Sequence, residues 1–127
     1  TGDTQLTFSQ EIKMDGAIIV STPQEVALLD VKRGIKMFEK LGVKILGLVD
    51  NMSFFIGDDG KKYEIFGKDG VKKTAKEFKK DFLGEIPINP KVGQQADKGI
   101  PIVESHPDDE ISQIFFNLAK KIKSIYF

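Results

Sequence analysis

Three short stretches of this 127-residue chain hold side chains whose types and spacing suit chemistry. They are Ser21-Thr22-Pro23, Asp50-Asn51-Met52-Ser53 and Pro87-Ile88-Asn89-Pro90, and each follows an apolar run. Thr1-Gly2-Asp3 is a fourth stretch of the same kind. What they offer is oxygen and amide chemistry, because there is no Cys and His106 is the single His. Disulfides, thiolate zinc sites, Cys-ligated clusters within the chain, a Cys nucleophile and a multi-histidine metal centre are excluded together. A hydrolase built from these residues alone would have to use Asp3 or Asp50, with no electrophile beside either. There is no G-x-x-x-x-G-K-[ST] and no G-x-G-x-x-G, so no recognised phosphate cradle is present. Each stretch taken alone reads as an ordinary turn. Together they read as a site only if the fold gathers them at one edge.

The elements between them supply such an edge. Thr4 to Gln10 reads as a short helix capped by Asp3 or Thr4. Ala17 to Val20 is a β-branched run suited to a strand buried on both faces of a parallel sheet. Ser21-Thr22-Pro23 opens a helix, with Thr22 as its cap and Pro23 at the first helical position, and Gly42 closes it. Val43 to Val49 is a second buried strand. Phe54 to Phe66 places Gly57-Asp58-Asp59-Gly60-Lys61-Lys62 between two β-prone runs, the pattern of a hairpin. Gly70 to Lys80 reads as a basic helix, Phe82 to Ile86 as a third strand, Lys91 to Lys98 as a short helix, Ile100 to Val103 as an extended piece, and Pro107 to Phe127 as the last helix. Strands alternating with helices imply an α/β fold, part of a doubly wound, mostly parallel sheet with a small β-hairpin insertion. In an open α/β sheet ligands sit beyond the carboxyl ends of the strands, where all three loops fall. A three-stranded sheet leaves a long bare edge, which natural domains avoid, so further strands are expected before Thr1. Thr rather than Met at the first position points the same way.

Composition bounds the function. Nineteen basic and nineteen acidic residues give no net charge, which argues against nucleic acid as a partner. Forty percent apolar residues, ten Phe among them, suffice for a core. No apolar run is long enough to span a bilayer. The lack of Cys and of targeting signals points to a cytoplasmic location.

The loops and strands together carry a resemblance. Thr1-Gly2-Asp3, Asp15 to Asp30, Gly47-Leu48-Val49-Asp50-Asn51-Met52-Ser53, Ile65-Phe66-Gly67 and Phe82 to Pro87 resemble, in that order, the Mrp/ApbC family of P-loop ATPases, the iron–sulfur cluster carriers. The resemblance implies that residues 1–127 are the C-terminal portion of a single MinD/Mrp-like P-loop NTPase domain, with 54–66 as a hairpin insertion. It implies ATP and Mg2+ as cofactors of the full-length protein, a homodimer rearranged by ATP hydrolysis, and apo iron–sulfur proteins as partners. It further implies that Gly2 and Asp3 end the switch segment that senses the γ-phosphate and helps place the attacking water. Asn51 then matches the residue that hydrogen-bonds the adenine, offering a donor and an acceptor. Pro87, with Ile88 and Asn89, matches the loop on the other side of the base; related ATPases often have Asp where Asn89 stands. No metal ligand falls in this chain, and the fragment alone is expected to be inactive. Cluster-carrying members place a Cys-x-x-Cys pair between the Asn-Met-Ser and Ile-Phe-Gly blocks. Here that interval holds Asp58 and Asp59 and no sulfur, which speaks against a cluster held there. A cluster-free, MinD/ParA-like regulatory ATPase or partner-binding domain is therefore the second expectation.

Some features have a bland reading beside a functional one. Phe54, Phe55, Tyr63 and Phe66 suit either a partner surface or a satellite core. Lys72, Lys73, Lys76, Lys79 and Lys80 suit an acidic partner or a solvated helix face, and the latter is preferred. Ile111, Ile114, Phe115, Leu118, Ile122 and Ile125 form a stripe that would either cover the sheet, the preferred reading, or bind a membrane surface.

Overall fold

The computed structural model describes residues 3–127. In chain order the elements are α1 (Asp3–Glu11), β1 (Ala17–Ser21), α2 (Glu25–Lys40), β2 (Ile45–Asn51), β3 (Phe55–Ile56), β4 (Lys62–Tyr63), α3 (Gly70–Glu77), β5 (Phe82–Ile86), α4 (Pro90–Asp97), α5 (Ile102–Ser105) and α6 (Glu110–Tyr126). Strands β1, β2 and β5 form a parallel sheet in that spatial order, and β3 pairs with β4 as a separate antiparallel hairpin. The expected α/β alternation is present.

Central β2 is buried from Ile45 to Asp50, as a strand covered on both faces must be. On one face Leu48 and Ile45 pack with Val31 and Ile35 of α2 and with Val71 and Ala75 of α3. On the other, Val49 packs with Leu83 and Ile86 of β5, Ile102 of α5 and Ile111 of α6. Ile114, Phe115, Leu118 and Ile122 extend that second core along α6. The stripe on the last helix therefore covers the sheet and is not a free membrane-binding face. At its far end the Tyr126 hydroxyl lies 2.6 Å from an Asp81 carboxylate oxygen and beside the Leu46 carbonyl. The Asp81 carboxylate accepting that proton pushes the Tyr126 pKa up to about 12. Among the described residues no helix is long and apolar enough to cross a membrane.

Local boundaries depart from expectation where tertiary contacts intervene. Strand β1 was expected to be buried on both faces, yet Ile18 is 40% and Val20 56% exposed. Their register partners are Gly47 and Val49, on the α6 side, and α6 covers β2 and β5 without reaching them. Helix α2 starts at Glu25 rather than Pro23. Gln24 occupies the capping position with no side-chain cap, and the Thr22 hydroxyl instead donates to the Gln24 side-chain carbonyl at 3.0 Å. Pro23 is held by the 67–70 loop: a Cβ at Gly70 would lie 2.7 Å from the Pro23 carbonyl oxygen. Strand β2 runs two residues further than expected, so Asp50 and Asn51 belong to the strand. The segment after Gly99 is not extended, because Pro101 opens a helical turn, α5, that buries Ile102 under α6. The Ser112 hydroxyl seals that joint between the carbonyls of Ile102 (3.1 Å) and His106 (2.6 Å).

Candidate functional site

The register of the sheet decides which loops meet. Asn51 stands opposite Ile86, and Asp50 lies between Ser21 on β1 and Glu85 on β5. Two backbone hydrogen bonds then tie the outgoing loops together. Ser53 N–H donates to the Ile86 carbonyl at 3.0 Å, and Ile88 N–H donates to the Phe54 carbonyl at 2.7 Å. Asn51, Pro87, Ile88 and Asn89 are thus brought to one rim at the carboxyl ends of β2 and β5, each partly exposed. Met52 turns the chain there with a φ of 53°, a left-handed conformation that costs a non-glycine residue about 1–2 kcal/mol. Such strain persists only where surrounding contacts impose it, and the two loop hydrogen bonds do so here.

Asn89 has a second task. It is the N-cap of α4, and its side-chain oxygen accepts the Lys91 N–H at 2.9 Å, with Pro90 at the first helical position. Its amide nitrogen remains as a donor for a ligand. Asp3 is exposed in the first turn of α1, and Gln5 of the same helix lines a groove with Ser21 and Thr22 at the end of β1. Leu6 and Gln10 of the same helix line a groove with Lys36, Met37 and Lys40 of α2. Gly2 lies outside the described residues. A groove of about 780 Å³ lies elsewhere, between α2 and the 66–77 segment, with Pro23, Val26, Leu29, Phe66 and Lys73 in its walls.

Asp50 is the rim residue whose environment the sequence did not disclose. It reads there as a loop carboxylate but is 1% exposed, and its Oδ1 has no hydrogen-bond partner. Burial first, then the neighbouring Glu85 carboxylate, push its pKa up to about 6; the Ser53 hydrogen bond pulls it down and Asp69 adds a further upward push. The available signal was its place directly after five apolar or glycine residues of a buried strand, where a charged side chain has little room for water.

The hairpin that follows is held by oxygen and cation contacts. Asp59 accepts from the Tyr63 hydroxyl and, at 2.9 Å, from the Lys61 N–H, and these bonds hold its carboxyl below the usual range. Lys62 Nζ lies 4.4 Å from the Phe54 ring centroid and 3.9 Å from a Glu85 oxygen. Among the described residues no group of three His, Cys, Asp or Glu is placed to hold a metal ion. A Cβ at Gly57 would lie 2.7 Å from Asp59 Oδ1 and 2.8 Å from the Tyr63 ring, so the turn is closed to a larger side chain. The residues present fit neither Mg2+ nor an iron–sulfur cluster. They do fit the edge of a base, which asks for an amide and an apolar wall rather than a charge. The hairpin aromatics divide between the two expected roles: Phe54, Phe55 and Phe66 are partly buried, whereas Tyr63 is exposed, as are Ile56 and Ile65.

Comparison with known proteins places this geometry in a family. The profile described as "ParA: NUBPL iron-transfer P-loop NTPase" matches residues 1–123. The iron-sulfur cluster carrier protein of Aquifex aeolicus is 44% identical over 126 residues, which are 98% of this chain and 35% of that protein. The chain thus spans about a third of the length of that relative. A nucleotide-binding protein of Archaeoglobus fulgidus solved in complex with ADP is 37% identical with a TM-score of 0.67, over 77% of this chain and 41% of that one. The cell-division ATPase MinD of Pyrococcus furiosus, 23% identical over 87% of this chain and 43% of its own, shares the fold with a TM-score of 0.67. On the family profile and the relatives together, the chain belongs to the NUBPL-type iron-transfer P-loop NTPases of the ParA group.

Proposed function

We propose that this chain is the base-gripping portion of an ATP-binding protein that acts in iron–sulfur cluster assembly or transfer. The observation that carries the reading is the pairing of Asn51 with Ile86, which sets an amide beside the Pro87-Ile88-Asn89 loop. Asn51 offers its donor and acceptor to the edge of the base, while Pro87 and Ile88 supply a water-excluding wall. Asn89 contributes its free amide nitrogen while its oxygen caps α4. When bound, ATP supplies the phosphoanhydride bond whose hydrolysis does work. The phosphate-holding residues and Mg2+ ligands lie outside this chain, which contains no phosphate loop. Asp3, with Gly2, helps place the attacking water. The full protein works as a cytoplasmic homodimer whose rearrangement is coupled to hydrolysis. The cluster is its cargo and apo iron–sulfur proteins are its clients, as the names of the relatives suggest. Calorimetry on the full-length protein tests the grip. Asn51→Ala is expected to weaken ATP binding by about tenfold, or about 1.4 kcal/mol, with the fold intact; unchanged affinity overturns the reading.

A second reading is a cluster-free regulatory ATPase of the MinD/ParA type. It is favoured by the hairpin, whose turn is closed by Asp59 and Tyr63 and offers no thiolate. Anaerobic reconstitution of the full-length protein separates the two. A stoichiometric, transferable cluster supports the carrier; a protein that binds ATP and no cluster supports the regulator.

A further inference from the structure

Asp50 is one residue from Asn51 and on the opposite face of the sheet. Its register neighbours are Ser21 and Glu85, so these three side chains point to the face packed by α2 and α3. The Ser21 hydroxyl is already donated to the Thr22 carbonyl at 2.8 Å. From β5 comes the Glu85 carboxylate, and from the residue before α3 comes that of Asp69, held at a φ of 56°. From the outgoing turn comes Ser53, which hydrogen-bonds to Asp50. Of the cations on this side, Lys62 of β4 reaches Glu85 at 3.9 Å, and Lys72 of α3 lies 6.0 Å from the Phe82 ring centroid. Asp50 Oδ1 is left buried with no donor. An ionised carboxylate with one oxygen left without a donor is costly in such a place, and two further carboxylates add to the cost. The neutral form suits the site, and burial is the first cause of the upward push to about 6. The ionised form requires water, and the segment that leaves the strand directly after Asp50 is the 51–54 turn. That turn already holds Met52 in a strained conformation and is fastened by the Ser53–Ile86 and Phe54–Ile88 hydrogen bonds.

We propose that Asp50 is a proton-linked positioning residue of the rim: neutral, it stays sealed beneath the 51–54 turn and keeps Asn51 in place; ionised, it opens that turn to water and displaces Asn51. The consequence for ligand binding rests on the base-gripping role of Asn51, whereas the proton-linked movement is a property of this chain alone.

Carbon-detected NMR titration of the isotope-labelled 127-residue chain tests it. The Asp50 carboxyl is expected to titrate about two pH units above the ordinary carboxylate value of 3.8. The amides of Asn51, Met52 and Ser53 and the side-chain amide of Asn51 are expected to shift with the same midpoint. Glu85→Gln removes the adjacent charge and is expected to lower that midpoint in both sets of signals together. Asp50→Asn is expected to leave the turn amides flat with pH. If that variant does not fold, the Glu85→Gln titration decides alone. Titration of Asp50 at an ordinary value overturns the proposal, and so does a raised midpoint that the turn amides do not follow. Failure of Asn51→Ala to weaken ATP binding would remove the base-gripping role and leave these titrations standing.

Discussion

At the scale of the residue, a buried acid with one oxygen left without a donor leaves a signature in stability. The folded chain holds the Asp50 proton more tightly than the unfolded chain, because its pKa rises from 3.8 to about 6. Neutral Asp50 therefore stabilises the fold at low pH, and that contribution is lost as pH climbs from about 4 through about 6. A shift of about two units corresponds to about 3 kcal/mol. Asp50→Asn, neutral at every pH, is expected to match the parent near pH 4 and to exceed it by up to about 3 kcal/mol at pH 7, as read by urea denaturation at both values. A second residue-scale prediction concerns Asn89. Asn89→Ala deletes the acceptor for the Lys91 N–H and is expected to cost about 1 kcal/mol of stability. Asn89→Asp keeps the cap and is expected to cost little, which separates its structural task from any contact with a ligand.

At the scale of the element, α6 is fastened at three depths, which is why its apolar stripe is not available to a lipid surface. Ile111, 2% exposed, anchors the first turn in the core. Leu118 and Ile122 lie over β5, and the Lys121 ammonium donates to the carbonyls of Phe82 (3.2 Å) and Leu83 (3.3 Å). Tyr126 closes the far end against Asp81. Ile111→Ala is expected to cost about 2–5 kcal/mol, the range for an apolar side chain lost from a tight core. Tyr126→Phe is expected to cost about 1 kcal/mol, since it removes the hydroxyl bond but keeps the ring beneath Lys44, whose ammonium lies 4.6 Å from the ring centroid. Liposome co-sedimentation of the intact chain is expected to show no retention, and retention abolished by removing residues 108–127 would contradict this packing.

At the scale of the whole molecule, both outer strands of the sheet are edges among the described residues, and they differ in how their faces are covered. Each of β1 and β5 pairs with β2 alone among the described residues; β5 lies under α6, whereas β1 exposes Ile18 and Val20. A parallel edge with unpaired backbone and exposed β-branched side chains is an association surface. The chain by itself is expected to self-associate at high micromolar concentration in sedimentation velocity. Val20→Lys is expected to shift it toward monomer with little loss of stability, because the side chain it replaces is not in the core.

Much was legible in the sequence. The β-branched runs, Thr22 and Pro23 ahead of α2 and the Gly42 stop placed the α/β alternation, because these signals act within a few residues: sterics, capping oxygens and missing N–H groups. The same local signals misplaced the start of α2 and the turn at Ile102, where the close approach of Gly70 to Pro23 and the cover of α6 override them. Asn51 and Pro87 were nominated by residue type and by resemblance, but their meeting at one rim depends on a register between strands thirty residues apart in the chain, which no local pattern encodes. The state of Asp50 belongs wholly to the tertiary structure. A carboxylate next to an asparagine reads as a polar loop, and only the packing of α2, α3 and β5 around it removes the water that would keep it charged.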